Sequence, residues 1–464
     1  MTDTMPTLRA ALEHLKAGRF EQCADLCGPL LTADPDNVDA RFFLGVCLGA
    51  RGRLDEAIGH LNRVIRTRPE HIDARRELAR MLQAGGLALA EQGRTDDAIA
   101  AFGQAAAADP ANAAHAANLA NALATEGRFT ESLAATTDAL RAAPADIAIQ
   151  LNHAITLLKA GRLPEGFAAN EWRHKKPGRE KLPPILMLPK LKYAGDLNGR
   201  TIVIYHEEGF GDTIQFARYA RLLAEMGAKV ILWAPRELTR LMRGQPGIAE
   251  VLTGDVNLPR FDFHCPINSL PYMFDTGVEA IPAAAPYLGA DPVLTAEWAA
   301  KLPIPSSGQG RPIGLVWAGE PRSYDPAAQA LDRRRSLKLA ALEPITALPG
   351  LSFVSLQMGP AGAQIAPGIH DPTAGVKDFA DTAAIIENLD LVISVDTAVA
   401  HLAGALGKPV FLLDRYDNCW RWLHGRTDSP WYPTMRIFRQ NRMGDWSTPV
   451  ADAAQAVKEL FGDG

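Results

Sequence analysis

The sequence predicts a helical solenoid joined to an α/β body of two lobes. Three observations carry that reading. A Gly-Arg dipeptide recurs at a near-constant step through the first third of the chain. Short β-branched runs then alternate with helical stretches. Two of those runs end in loops of Gly, Asp, Thr and His, residue types that serve at ligand sites.

Length and composition set the frame. A chain of 464 residues exceeds one hydrophobic core and should divide into about three units of ~150 residues. With 47% hydrophobic and 22% charged residues it reads as globular. A formal net charge of −5 gives no support to a nucleic-acid or anionic-membrane partner, and the basic cluster Arg333, Arg334, Arg335 is local. Five scattered cysteines (Cys23, Cys27, Cys47, Cys265, Cys419) make neither a disulfide framework nor a CxxC pair. Cys23 and Cys27, one helical turn apart, read as buried packing residues. No basic-then-apolar leader opens the sequence, and no run reaches the roughly 18 apolar residues that span a bilayer. The expectation is a cytoplasmic protein without a transmembrane segment.

The repeats come first. Gly-Arg stands at residues 18, 52, 93, 127 and 161, in steps of 34, 41, 34 and 34. Pro35, Pro69, Pro110 and Pro144 keep the same steps of 34, 41 and 34. Five residues after each Gly lies a small residue: Cys23, Ala57, Ala98, Ser132 or Gly166. Glycine permits the turn between paired helices, proline is expected to open the next helix, and the small residue lets the pair cross closely. A 34-residue period with these marks resembles the tetratricopeptide repeat over residues 6–172. The irregular step adds seven residues around Met81–Gly93, either as two extra helical turns or as a loop insertion. Such solenoids bind extended peptides on their concave face. Asn118, Asn121 and Asn152 fall on first helices, with Asn118 and Asn152 in equivalent register; they could grip a peptide backbone or form a solvated polar face.

A proline-rich connector follows, with Lys175, Lys176, Pro177, Pro183, Pro184 and Pro189 between His174 and Arg200. Trp172 and Leu186–Leu188 are its expected packing residues. The expected organisation is a solenoid of about five repeats over 1–173, a connector over 174–200, a first lobe over 201–305 and a second lobe with a terminal helix over 306–464.

In the body, Thr201–Tyr205 reads as a buried strand and Thr213 to about Met226 as a helix. Lys229–Trp233 is the next strand and Arg236–Arg243 its helix. After the Pro/Ser/Gly-rich stretch Leu302–Arg311, further strands are expected at Pro312–Trp317, Leu351–Leu356, Leu391–Val395 and Val410–Leu413. Two such series imply two Rossmann-like lobes with a cleft between them. Gly209-Phe210-Gly211-Asp212 lies at a strand-to-helix turn, where glycines let backbone amides approach an anion. Asp212 is either a helix cap or a general base facing the cleft. Asp396-Thr397-Ala398-Val399-Ala400-His401 follows the strand LVISV; Thr397 and His401 share a helical face there, unless the aspartate only caps and the histidine is buried.

The run DTAVAHLAGALGKPVFLL resembles the signature of glycosyltransferase family nine, the heptosyltransferases, with Ala398 where that family commonly has glycine. Gly211-Asp212 is similar to the same family's first-lobe loop. Together with the repeats, and with Trp317–Pro321, Asp332–Ser336, Trp420–Trp422 and Ser429–Pro433, the chain resembles the bacterial tetratricopeptide-repeat glycosyltransferases with a GT-B body. The resemblance implies inverting transfer from a nucleotide-sugar, without metal or cofactor. The acceptor would be a protein held by the repeats, with flagellin or another surface protein as examples. It makes Asp212 the expected base. Donor contacts are expected from Gly209, Gly211, Trp317, Arg322, Arg335, Ser336, Asp396, Thr397, His401 and Trp420, with Asn118, Asn121 and Asn152 for the acceptor. Trp420 and Trp422 could stack on the donor or pack between elements. Two alternatives stand beside this reading: a transferase building lipopolysaccharide or another glycan, and a non-catalytic adaptor with a degenerate body.

Overall fold

The computed structural model describes residues 4–178, 182–302, 310–321 and 325–462. Contacts divide the chain into two compact units, Met1–Thr156 and Leu157–Gly464.

Ten helices in five pairs form the repeat region: α1 (Met5–Lys16) and α2 (Phe20–Ala33), α3 (Val38–Ala50) and α4 (Leu54–Thr67), α5 (Ile72–Glu91) and α6 (Thr95–Ala108), α7 (Ala113–Thr125) and α8 (Phe129–Ala142), α9 (Ile147–Lys159) and α10 (Leu163–Asn170). The five Gly-Arg glycines all have φ between 70° and 77°, the left-handed turn that favours glycine. The seven extra residues are helical, since α5 has 20 residues where α3, α7 and α9 have 13. The small position is a close crossing: Cys23, Ala57, Ala98 and Ser132 are fully buried, and a Cβ on Gly166 would lie 2.6 Å from Leu158 Cγ.

Proline does not open the helices as expected. Pro35, Pro69, Pro110 and Pro144 each precede the first helical residue by three positions. The starts of α3, α5, α7 and α9 are instead capped by side chains. Asn37 Oδ1 accepts from Ala40 N at 2.9 Å, His71 Nδ1 from Ala74 N at 3.1 Å, Asn112 Oδ1 from Ala114 N at 3.1 Å and Asp146 Oδ1 from Ile149 N at 3.0 Å.

The division falls within α9, ahead of the expected boundary at residue 173. Leu158, Leu163 and Phe167 belong to the same apolar core as the first lobe, which is why the end of α9 and all of α10 count with the body. The connector contributes Leu188, fully buried, whose amide donates to His264 O at 2.8 Å. Its most buried group near the start is not Trp172 but Arg173, which pairs with Glu171 and Glu207 and donates to Ser269 Oγ at 2.6 Å.

The body contains two all-parallel sheets. The first lobe holds β1 (Thr201–Tyr205), α11 (Phe210–Phe216), α12 (Arg218–Glu225), β2 (Lys229–Trp233), α13 (Arg236–Met242), β3 (Glu250–Leu252), β4 (Phe263–Pro266), α14 (Leu270–Met273) and α15 (Pro292–Ala299), in strand order β3-β2-β1-β4. The second holds β5 (Arg311–Val316), α16 (Pro326–Arg335), α17 (Glu343–Thr346), β6 (Leu351–Ser355), β7 (Ile369–His370), α18 (Phe379–Glu387), β8 (Leu391–Val395), α19 (Ala398–Ala405), β9 (Val410–Asp414), β10 (Met435–Arg439) and α20 (Ser447–Phe461). Its order is β10-β9-β8-β5-β6-β7. Parallel sheets of this kind are covered on both faces, which accounts for the unbroken apolar runs of β1, β8 and β9. The expected helix from Thr213 is two helices, because it starts at Phe210 after the Gly209 cap and breaks at Ala217, where Arg218 Nε turns back to donate to Gln215 O. Most of the Leu302–Arg311 stretch, with the expected lobe boundary, lies outside the described residues.

Candidate functional site

Strand ends place the loops. In both lobes the chain leaves the carboxyl end of a buried central strand and turns directly into a helix, β1 into α11 and β8 into α19. Such ends open on the crevice where α/β proteins bind ligands. The two helix starts meet. A Cβ on Gly211 would lie 2.7 Å from His401 Cδ2 and 3.6 Å from Ala398 Cα, so only glycine allows this approach. Beside the meeting point lies a cavity of about 530 Å³ lined by Gly209–Asp212, Asp396–Val399 and His401, with Arg335, Arg415, Lys377 and Arg421 on the second-lobe side.

Asp212 occupies both positions the sequence left open. Its Oδ2 accepts from Gly209 N at 2.9 Å, a capping-box contact at the start of α11, while the residue also lines the cavity. Its Oδ1 accepts from Arg421 Nη2 in an ion pair between the lobes. Arg421 is further held by Gln215 Oε1, which accepts from Nε at 2.8 Å, and by the Trp420 ring 4.5 Å from its guanidinium carbon. Neighbouring Asp212 keeps Arg421 raised above its usual range against the opposing pull of burial.

His401 is a packing residue at its Nδ1 side, hydrogen-bonded to Tyr432 Oη at 2.8 Å and stacked on Trp422 at 5.1 Å. Burial first, then the charges of Arg421 and Arg218, lower it to about 3 against the opposing pull of Asp212. It is therefore neutral at physiological pH. Thr397 is the N-cap residue of α19 and shares a 3.1 Å contact with Ser394 Oγ. Arg335 donates to Asp396 O at 3.2 Å and to Asp332 Oδ1 at 2.9 Å. Arg415 Nε stands 2.9 Å from Asp417 Oδ1, close enough for an ion pair but without hydrogen-bond geometry.

Several expected donor residues are not on the cavity wall. Trp317 is fully buried in the second-lobe core. The amides of Trp317 and Ala318 donate to Gln357 Oε1 at 3.0 and 2.8 Å, so that glutamine, missed in the sequence, organises the loop. Ser336 Oγ accepts from Gly319 N at 3.0 Å and holds the same loop. Trp420 packs edge-on against Phe167 and Trp431, at 5.5 and 6.1 Å, and supports Arg421 from below. Trp422 is fully buried and stacks on His401. Arg322 lies outside the described residues. In the repeats, Asn118 and Asn152 are the sixth residues of α7 and α9 and half-buried, whereas Asn121 is exposed.

Charge on the cavity wall is divided. The first lobe contributes Glu208, Asp212 and Glu237 and, among the described residues, no cation. Among the described residues the four lining cations, Arg335, Lys377, Arg415 and Arg421, come from the second lobe, which also supplies Glu320, Asp378 and Asp396. The lobes are tied by Arg240, which donates to Asp378 Oδ1 at 2.8 Å and to Asp381 Oδ2 at 2.5 Å, and by Arg218, which donates to Trp431 O at 2.9 Å. Among the described residues, no group of three or more His, Cys, Asp or Glu could hold a metal ion, and no helix is long and apolar enough to cross a membrane.

Comparison with known proteins meets this geometry at two places. Residues 8–82 and 84–147 match the tetratricopeptide repeat family, and residues 363–441 match glycosyltransferase family 9 (heptosyltransferase). The second match contains Asp396, Thr397, His401, Arg415 and Arg421 but not Gly209–Asp212. Protein FlbA of Caulobacter vibrioides (strain ATCC 19089 / CIP 103742 / CB 15) is 29% identical over 315 residues, 60% of this chain and 50% of that protein. The chain thus spans about half the length of the curated relative it matches. Among solved structures, MamA of AMB-1 is 23% identical with a TM-score of 0.31, covering 39% of this chain and 94% of that one. MamA from Desulfovibrio magneticus RS-1 is 18% identical with a TM-score of 0.29, covering 38% and 94%. YrrB, described as a TPR protein with an unusual peptide-binding site, is 15% identical with a TM-score of 0.30, covering 38% and 88%. The chain carries tetratricopeptide repeats in its first third and, joined to them through an α/β body, a glycosyltransferase family 9 segment near its C-terminus.

Proposed function

We propose that this protein is an inverting, metal-independent glycosyltransferase of GT-B type that moves a sugar from a nucleotide-sugar to a protein held by its repeats. The observation that carries the reading is the cavity joining Gly209–Asp212 to Asp396–His401, with its charge split between the lobes. Breaking the glycosidic bond leaves negative charge on the donor phosphate. The cationic second-lobe wall, with the start of α19, suits that leaving group. The acidic first-lobe wall suits the acceptor hydroxyl. In the proposed step the acceptor oxygen attacks the anomeric carbon opposite the phosphate and its proton passes to Asp212. The bond from that carbon to the phosphate oxygen breaks, and its electron pair stays on the phosphate. Arg335, Arg415 and Arg421 are the proposed phosphate contacts, with Thr397 and Asp396 orienting the start of α19. His401, neutral and fixed by Tyr432, shapes the wall beside Gly211. For the acceptor, the repeat match and the shared register of Asn118 and Asn152 support capture of an extended peptide.

One observation favours the adaptor alternative: Asp212 is already satisfied by Gly209 N and Arg421. Incubating the full chain with UDP-, ADP-, GDP- and CMP-sugars and its co-purifying proteins separates the two. A transferase adds a glycosyl mass to a bound protein and loses about 10² to 10⁴ in rate on Asp212→Asn with the partner still bound. An adaptor binds no nucleotide-sugar. Full activity of the Asp212→Asn chain removes Asp212 from the chemistry.

A further inference from the structure

The three arginines of the cavity wall differ in one respect. Arg335 is paired with Asp332, and Arg415 with Asp417, which also pairs with Arg334; both carboxylates belong to the same lobe as their arginines and do not line the cavity. Arg421 is neutralised by Asp212, which comes from the other lobe, lines the cavity and is the proposed base. One Asp212 oxygen is taken by the Gly209 amide and the other by the Arg421 guanidinium, so an acceptor hydroxyl would have to compete with that guanidinium for the carboxylate. The residue suited to deprotonate an acceptor is therefore held back by a residue suited to bind the leaving group.

Resting on the donor site proposed above, we propose that Arg421 is exchanged between two anions, the Asp212 carboxylate and the phosphate of the donor, so that donor binding frees the base. The chemistry permits the exchange. The donor's phosphates are anions like the carboxylate and accept from the same planar fork of N–H groups. Arg421 need not leave its place: Nε stays on Gln215 Oε1 at 2.8 Å and the guanidinium stays on the Trp420 face, while the anion facing Nη2 changes from the Asp212 carboxylate to the phosphate. Both anions cannot be dispensed with at once, because a buried guanidinium without a counter-charge is strongly disfavoured. Asp212 is thus released only when a phosphate takes its position, and activation of the acceptor waits for the donor.

The exchange makes an unusual demand: removing the base's charge tightens binding of the leaving group. The test is calorimetric titration of inorganic pyrophosphate into the full chain, Asp212→Asn, Arg421→Met and the double variant, with a melting curve for each. Asparagine still accepts from Gly209 N, so the helix start is kept. The expected result is binding tightened about fivefold or more by Asp212→Asn, with that gain lost when Arg421 is already methionine. Equal or weaker binding by Asp212→Asn overturns the exchange. So does a gain that persists undiminished without Arg421, since that is general charge repulsion. Should Arg421→Met not fold, Arg421→Lys serves as the background, and the gain must shrink there because an ammonium lacks the fork. If the unaltered chain and every variant bind neither pyrophosphate nor any of the four nucleotide-sugars, the donor site falls and the exchange with it. If the unaltered chain binds and Asp212→Asn does not gain, only the exchange is lost.

Discussion

Gly211 sets how near the two lobes' helix starts can come. Its missing Cβ would sit 2.7 Å from His401 Cδ2, on a ring already fixed by Tyr432 and Trp422. Gly211→Ala is expected to cost about 1 to 3 kcal/mol by overpacking and to weaken nucleotide-sugar binding by pushing the cavity walls apart. Thermal unfolding beside calorimetry checks both, and unchanged values in the two would refute the close approach. His401 supports a pH prediction. Its folded value of about 3 lies below the ordinary 6.5. As pH falls from 6.5 the unfolded chain takes up a proton that the folded chain refuses. The stability from His401 is thus complete above that point and lost below it, by up to about 1.4 kcal/mol per pH unit. Asp414, pushed up to about 6 by burial, acts in the opposite sense between 3.8 and 6, so the gap between wild type and His401→Gln is the quantity to follow. Urea unfolding between about pH 7 and pH 5 should show that gap narrowing as the pH drops; a constant gap contradicts the assignment. At this scale the sequence was only partly legible. Asp212 and His401 could be picked out because each follows a strand in a local motif. Arg421 could not be assigned its role, since its carboxylate partner is 209 residues away.

At the scale of elements, the periodic parts were the readable ones. A period of 34 located every turn glycine, and the seven added residues could be read as two helical turns. Long apolar runs marked β1, β2, β5, β6, β8 and β9, because strands buried on both faces leave no polar alternation to confuse. The strands β3, β4, β7 and β10 were missed, being two to five residues long and at or next to sheet edges. Where the body begins is harder to read, for α10 carries repeat spacing yet its Leu163 and Phe167 lie in the body core. This bears on any dissection of the chain. A fragment 146–464 is expected to unfold cooperatively and keep nucleotide-sugar binding. A fragment 174–464 loses Leu158, Leu163 and Phe167, each worth roughly 2 to 5 kcal/mol, and leaves Glu207 without Arg173. Circular dichroism melts of both fragments decide it; equal stability would show that the last helix pair is dispensable to the body.

Across the whole molecule, Arg173 links the end of the repeat region to the loop that carries Asp212. The guanidinium, 4% exposed, holds Glu207 two residues before Gly209. Arg173→Leu leaves that buried carboxylate unpaired and should cost about 3 to 5 kcal/mol, seen as a lowered urea midpoint; a change under 1 kcal/mol would mean the pair is solvated. The proposed reaction asks the same body to present an acidic wall to an acceptor and a cationic wall to a leaving group. Its most direct test is mass spectrometry of proteins that co-purify with the full chain, before and after incubation with the four nucleotide-sugars. The expected result is one added glycosyl mass on a bound protein, with one sugar alone, and its loss in Asp212→Asn while the protein stays bound. No added mass with any of the four, together with no nucleotide-sugar binding, would contradict a transferase and leave a repeat protein with an idle cleft.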